Sequence, residues 1–204
     1  MTSGGRFGAG TIPRVTEPRI PEELFTDRLQ LRAWRSDDLD ELAEVFAQPE
    51  VWEYPFGRGF ERDETERFLN RQIEDWEGHG FGRYAVVGRE TGELAGYAGL
   101  QYGWWFHEIA DEVEVGWRFG RQFWGKGFAT EAARATLRVG FDELGVEQIV
   151  AVIEPANVSS RHVAERLGLE VVRETTEPTF DKQLLVAVID RARFDAVEVE
   201  RSTR

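Results

Sequence analysis

The stretch FWGKGFATEA, residues 123–132, sets two glycines around a lysine and runs directly into residues that favour helix. A helix amino terminus presents unpaired backbone N–H groups and the positive end of the helix dipole, and glycines at its entry let an anion approach closely. The chemistry open to this spacing is therefore anion binding, with a turn that serves packing alone as the alternative. A P-loop needs Gly-Lys followed by Ser or Thr after a longer loop, whereas here Gly127 follows Lys126. A dinucleotide fingerprint fits in part, through Ala129 and the acidic Glu154 at the end of the next strand, but the antiparallel hairpins upstream argue against its framework. Gly116, inside an otherwise regular strand pattern, marks a bulge or a close backbone approach. Asn157 and Ser160 follow the next parallel strand, on the same edge as the glycine loop.

These residues need a scaffold, and 204 residues with 41% hydrophobic and 12% aromatic content are enough for one core and one domain. The absence of cysteine excludes disulfides, thiolate metal sites and a protein thiol nucleophile. His79, His107 and His162 are too scattered to read as a metal cluster, so no metal is expected. Twenty-five basic against 38 acidic residues give a net charge of -13, which disfavours nucleic acid as a partner and favours a cationic substrate. No apolar run approaches the roughly 18 residues of a spanning helix, and the start lacks the apolar core of a signal peptide, so a cytoplasmic protein without membrane contact is expected.

The Gly-, Pro- and Arg-rich start reads as a flexible arm over 1–22, the folded domain as 23–195 and the charged end, 196–204, as a frayed tail. Residues 28–34 alternate like a strand. Ser36 is placed to cap a helix whose Leu39, Leu42, Ala43 and Phe46 share a face. A second helix carries Phe68, Leu69, Ile73 and Trp76 at helical spacing, and Thr91-Gly92 joins two strands in a hairpin. Residues 112–119 alternate cleanly, with Val113, Val115, Trp117 and Phe119 opposite Glu112, Glu114, Gly116 and Arg118. The glycine loop then opens a helix to about Leu144, with Arg134, Arg138 and Asp142 outward, and QIVAVIE reads as a buried parallel strand. One more helix and a closing hairpin complete a mixed α/β domain.

The stretch EVEVGWRFGRQFWGKGFATEAARATLRVGFDELGVEQIVAVIEPANVSSRHVAERLGLE, together with TDRLQLRAW at residues 26–34, resembles the GNAT N-acetyltransferase superfamily in its ribosomal-protein N-terminal acetyltransferase-like branch. The resemblance covers about residues 26–194 and implies an α/β (α+β) fold: a mixed, mostly antiparallel central sheet with one parallel, splayed strand pair, flanked by helices. It implies acetyl-coenzyme A as cofactor, with its pyrophosphate on Trp124, Gly125, Lys126, Gly127, Phe128, Ala129 and Thr130. Trp124 stands where the family pattern has Gln or Arg. By the same resemblance Trp117 and Phe119 offer backbone groups to the pantetheine arm, Gly116 belongs to the bulge that splays the strands, and Asn157 and Ser160 match an Asn-x-x-Ser pair near the arm and the thioester sulfur. A helix cap is the alternative for that pair.

Acetyl transfer to an amine needs a neutral nucleophile, polarisation of the carbonyl and a proton for the leaving sulfur. Backbone N–H groups near Trp117 suit the carbonyl and Ser160 the sulfur, because Ala164 stands where many relatives carry a tyrosine. Deprotonating a lysine at pH 7 costs roughly 4–5 kcal/mol, against about 1 kcal/mol for an α-amine, so a weak base serves an N-terminal amine. Glu114 is the candidate base, with a solvated strand carboxylate as the alternative, and His107 is a second candidate. Trp52, Trp104 and Trp105 are candidates for the acceptor pocket through cation–π or apolar contact, or else cover the core or a dimer contact. The expected activity is acetyl transfer from acetyl-coenzyme A to a primary amine, a protein N-terminus or a small molecule, by a monomer or homodimer. A non-catalytic acyl-coenzyme A-binding or sensing module and a nucleotide-binding module are the competing readings.

Overall fold

The computed structural model describes residues 19–177 and 181–203. Its strands are β1 (Glu23–Phe25), β2 (Leu29–Arg32), β3 (Arg83–Gly88), β4 (Leu94–Tyr102), β5 (Val113–Phe119), β6 (Gln148–Ile153), β7 (Glu170–Glu177) and β8 (Lys182–Asp190). They form an eight-stranded sheet in the order β1-β2-β3-β4-β5-β6-β8-β7. Only β5 and β6 run parallel; every other neighbouring pair is antiparallel. The α-helices are α1 (Leu39–Phe46), α2 (Glu53–Phe56), α3 (Arg62–His79), α4 (Phe128–Asp142), α5 (Val158–Leu167) and α6 (Arg191–Ser202). This is the mixed, mostly antiparallel architecture with one parallel pair that the sequence implied. Among the described residues no helix is long and apolar enough to cross a membrane.

Side chains alternate across β4, so the sheet separates two cores. Leu100 faces α4, where Gly140 lets the helix approach closely: a Cβ there would stand 2.9 Å from Leu100 Cδ1 and 2.7 Å from Ile149 Cδ1. Tyr97 points the other way and packs on Phe46 of α1 and Phe68 of α3, with ring centroids at 6.3 and 5.4 Å. The apolar faces read from the sequence thus pack against opposite sides of β4.

Local expectations are corrected at five points. Ser36 opens a 3-10 turn rather than capping α1; the buried Asp38 carboxylate instead accepts the Arg35 N–H at 2.8 Å and pairs with the Arg32 guanidinium. The arm expected over 1–22 is already part of the fold at Ile20, which is buried and donates its N–H to Gly80 O at 3.1 Å; residues 1–18 lie outside the described residues. The end expected to fray from 196 is helical through Ser202. Asp190 caps α6 by accepting the Arg193 N–H at 2.7 Å, Phe194 packs on Phe141, and Glu198 pairs with Arg134 and Arg138. The α4 face read as solvent-facing is therefore the seat of α6. Gly116 forms no bulge with β4: pairing runs unbroken from Gly96↔Phe119 to Tyr102↔Val113, and the register shifts lie instead in the β3–β4 and β7–β8 pairs.

Glu131 fastens the start of α4 to the turn that precedes β2. Its Oε1 accepts the Thr26 hydroxyl at 2.6 Å and the Arg28 N–H at 3.0 Å, its Oε2 accepts Arg28 Nε at 2.7 Å, and Arg28 also donates to Lys126 O at 2.8 Å. Burial pushes the Glu131 carboxyl up, but the bonds from Thr26 and Arg28 outweigh it and hold the group below its ordinary value.

Glu131→Gln should therefore lower unfolding stability by about 1–3 kcal/mol at pH 7. A depressed folded pKa gives stability that is fully present above the unfolded value of about 4.3 and lost as pH falls through the lower folded value. Denaturant titrations of the two proteins should thus converge in acid, and a gap independent of pH would refute the clasp. Gly99→Ala tests the sheet: its Cβ would stand 2.4 Å from Arg83 Cα and 2.7 Å from Gly82 O, both backbone atoms. We expect a loss of about 1–3 kcal/mol, and an unchanged denaturation midpoint would show that the strand pair relaxes freely.

Candidate functional site

The glycine loop owes its residues to backbone conformation. After β5 the chain passes through a 3-10 turn, Arg121–Phe123, and enters α4 with Gly125 at φ 74° and Gly127 at φ 79°, the latter as N-cap. Both lie in the left-handed region that glycine adopts without a Cβ penalty. A side chain would meet nothing within 4 Å at Gly125 and only Arg28 Nη2, at 3.5 Å, at Gly127. The N–H groups of residues 125–130 find no acceptor among the described residues, and the Thr130 hydroxyl is buried without a partner. Lys126, Arg134, Arg138 and Arg166 line the same cleft. Burial, followed by Arg201 and Arg138, lowers the pKa of Arg134 against the pull of Glu198. In a chain of net charge -13 this is a local basic patch surrounding unpaired donors, a surface that fits a polyphosphate.

Trp124 donates its indole N–H to Phe119 O at 2.7 Å, while the Arg121 guanidinium lies 4.9 Å from its ring centroid. The loop is thereby tied to the end of β5. The bond also engages the Phe119 carbonyl, one of the two backbone positions expected to face a pantetheine arm.

Next to the loop the sheet opens. The parallel strands β5 and β6 register at one pair, Glu114↔Val150, and then part, so residues 115–119 have no strand partner on that side among the described residues. Gly116 contributes space on the sheet surface. It lies in the cross-strand row Arg83↔Gly99↔Gly116, and a Cβ at Gly116 would stand 3.4 Å from Arg83 Nε. With two glycines beside it, the Arg83 side chain lies along the sheet toward Glu114.

Glu114 is a buried carboxylate, 6% exposed, and not the solvated strand residue that was its alternative. Its Oε2 accepts Gln101 Nε2 at 2.6 Å and Trp105 Nε1 at 2.7 Å, with Arg83 Nη2 at 4.0 Å. Its Oε1 receives no hydrogen bond among the described residues. One oxygen fixes the group and the other is free to handle a proton. Beside it, burial pushes the Tyr97 phenol up, but the charges of Arg83 and Arg118 outweigh this and hold it below its ordinary value. His107 sits in a 3-10 turn, His107–Ile109, and does not line the cleft.

One wall of the cleft is a strap, residues 49–56. Trp52 is 6% exposed, belongs to the core as its alternative had it, and stacks on Phe60 at 3.8 Å. The Arg118 guanidinium stands 3.7 Å from the Trp52 centroid and donates to Tyr54 O at 3.0 Å and to Val51 O. Tyr54 Oη reaches Ala156 O, beyond β6, at 3.2 Å. The strap thus bridges from β5 to the segment after β6, across the opening between them. Trp104 and Trp105 are half-exposed; Trp104 stacks on Tyr102 at 4.8 Å and Trp105 holds Glu114.

Asn157 is the N-cap of α5, its Oδ1 accepting the Ser160 N–H at 3.1 Å and the Ser159 hydroxyl at 3.0 Å. The capping alternative is therefore real, and the Asn157 amide N–H groups make no hydrogen bond among the described residues. The Ser160 hydroxyl has no hydrogen-bond partner among the described residues. All the residues singled out from the sequence, except His107, line one cleft of about 1700 Å³: Trp52, Trp104, Trp105, Glu114, Trp117, Phe119, 124–130, Asn157 and Ser160. Sequence reasoning missed Arg83, Tyr97, Gln101 and Arg118. The only available signal was the strand parity that puts Arg118 on the face of Glu114.

Residues 28–170 match the acetyltransferase (GNAT) domain family. The chain is 31% identical over 179 residues to the Bacillus subtilis protein YkkB, covering 85% of this chain and 97% of that protein. It is 33% identical over 153 residues to the N-acetyltransferase p20 of Bacillus licheniformis, covering 73% of this chain and 83% of the relative. Among solved structures, an acetyltransferase from Agrobacterium tumefaciens superposes with a TM-score of 0.70 at 28% identity, over 86% of this chain and 97% of that one. The match over most of the chain, joined to the splayed β5–β6 pair and the donor-rich loop at its mouth, establishes that this protein belongs to the GNAT acetyltransferase family.

Proposed function

We propose that this protein transfers an acetyl group from acetyl-coenzyme A to a primary amine, by direct attack in a ternary complex. The observation that carries this reading is the convergence in one cleft of three features: the unpaired N–H groups of 125–130, the opening between β5 and β6, and the free Oε1 of Glu114. When bound, acetyl-coenzyme A supplies the acetyl group as a thioester. The loop 125–130 and the basic residues around it hold the phosphates, with Thr130 as a hydroxyl partner. The Trp117 backbone, on the open side of β5, positions the reacting carbonyl, and the Asn157 amide supports the arm.

Glu114 takes the proton from the acceptor ammonium at Oε1, while Gln101 and Trp105 keep the carboxylate in place through Oε2. Ser160 holds a proton to deliver at sulfur. The acceptor enters between the strap and the rings of Trp104 and Trp105. A protein N-terminus, the acceptor implied by the ribosomal-protein branch, is a chemically easy one because its α-amine is nearly neutral at pH 7. Ala164, in place of a phenol on α5, favours a second reading in which the cleft binds an acyl-coenzyme A without turnover.

Thermal-shift measurements should show stabilisation by coenzyme A and none by ATP or NAD; the reverse pattern would refute the assignment of the loop. In Gly127→Glu, whose fold is checked by circular dichroism, coenzyme A affinity should fall on the order of tenfold or more because a carboxylate enters the phosphate cradle; unchanged affinity would remove the cradle. Ser160→Ala should lower kcat by about tenfold to a hundredfold with acetyl-coenzyme A affinity nearly constant. An unaffected rate would leave Ser160 as part of the α5 cap alone.

A further inference from the structure

At the acceptor end of the cleft, α3 carries two polar side chains whose oxygens accept no hydrogen bond among the described residues. Gln72 is 2% exposed, and its amide oxygen is buried with no hydrogen-bond donor. Such atoms are rare in folded proteins, and each calls for a partner such as a water, an ion or a ligand group. Asp75, three residues on and on the same side of the helix, makes no hydrogen bond or ion pair among the described residues. Burial pushes its carboxyl above the ordinary range, and His79, Arg71 and Arg83 offset that only in part.

Both side chains line the cleft that holds Glu114. The helix is fixed there, since Trp76, in the next turn, donates its indole N–H to Arg83 O at 2.9 Å. Arg83 does not fill the deficit: its guanidinium lies over Tyr97, 5.0 Å from the centroid, and beside Gly116. The cleft therefore offers a buried amide oxygen, an unpaired carboxylate on α3 and the free Oε1 of Glu114 on β5. A monoamine presented to Glu114 has no second donor for α3.

We propose that the acceptor is an aliphatic diamine, whose far ammonium is bound by Asp75 and Gln72 while its near amine is presented to Glu114. This identification of the substrate class rests on the acetyltransferase reading above. The stacked rings of Tyr102 and Trp104, which also line the cleft, supply apolar surface for the methylene chain and π faces for its charged ends. The net charge of -13 raises the local concentration of a dication.

The test measures coenzyme A release with a series of straight-chain α,ω-diamines and with monoamines of matching length. Diamines should exceed their matched monoamines in kcat/KM by on the order of tenfold or more. In Asp75→Asn that preference should collapse toward unity, chiefly through KM for the diamine, and Gln72→Leu should reduce it in the same direction. Calorimetric titration of the wild-type and Asp75→Asn coenzyme A complexes with the same diamines supplies a readout that needs no turnover. Binding there that Asp75→Asn abolishes supports the proposal, and absence of diamine binding overturns it. Monoamines turned over as well as diamines would overturn it while leaving the acetyltransferase reading intact. Failure to bind or consume acetyl-coenzyme A would remove that reading and this proposal together.

Discussion

Two parallel strands that meet at a single residue pair and then diverge are the constraint on which the rest of this structure depends. Backbone N–H and C=O groups are obligatory hydrogen-bonding groups, and a sheet normally pairs them along its length. Once β5 leaves β6 beyond Glu114↔Val150, the inner edge of residues 115–119 needs another partner. The chain keeps the opening from collapsing by holding each strand from its outer side. β4 pairs with β5 over its whole length, and β8 pairs with β6 from Gln148↔Asp190 to Ile153↔Leu185. The opening is thus a property of a rigid frame, and the glycine loop at the head of α4 and the N-cap of α5 both stand at its rim.

The same opening explains why the strap has the form it does. Arg118 lies between Trp117 and Phe119 in β5, yet its side chain turns to the other face of the sheet and holds Val51 and Tyr54 by their carbonyls. Stacked on Trp52 and adjacent to Tyr97, it is desolvated on several sides, and its charge is dispersed over carbonyl dipoles and an aromatic face. One residue therefore joins the strand proposed to hold the cofactor to the wall proposed to meet the acceptor. Tyr54 completes the bridge on the far side through Ala156.

Charge is sorted along the cleft in a way the total conceals. At the α4 end, Lys126, Arg134, Arg138 and Arg166 gather around unpaired N–H groups despite the acidic composition. At the α3 and β5 end, Glu114 is buried and Asp75 partly so, and their surroundings decide what they can bind. Arg83 stands between, in a trough cleared by Gly99 and Gly116, and its charge reaches Glu114, Tyr97 and Asp75. Each end thus suits a ligand of opposite sign.

Much of this was written locally in the sequence. Strand alternation at 112–119, the Thr91-Gly92 turn, the helix periods and the glycine loop are set by neighbours within a few residues, where sterics and period alone decide. They located β5, the hairpin, α4 and the loop, and with them the face of Glu114. What depended on distant partners was invisible. The α6 helix is stabilised by Phe141 and by the arginines of α4, more than fifty positions earlier, and read alone it is a charged tail. Gly116 looked like a bulge because its real neighbour, Arg83, comes from another strand. Glu114 could be read as solvated until Gln101 and Trp105 were placed beside it, and Gln72 looked like an ordinary polar residue until packing buried its oxygen. The sequence by itself determined which backbone segments could exist and where a helix would offer an anion its free N–H groups. Only the tertiary structure decided which polar groups are buried, paired or left wanting, because desolvation and hydrogen bonding are set by atoms that the chain brings together from far apart.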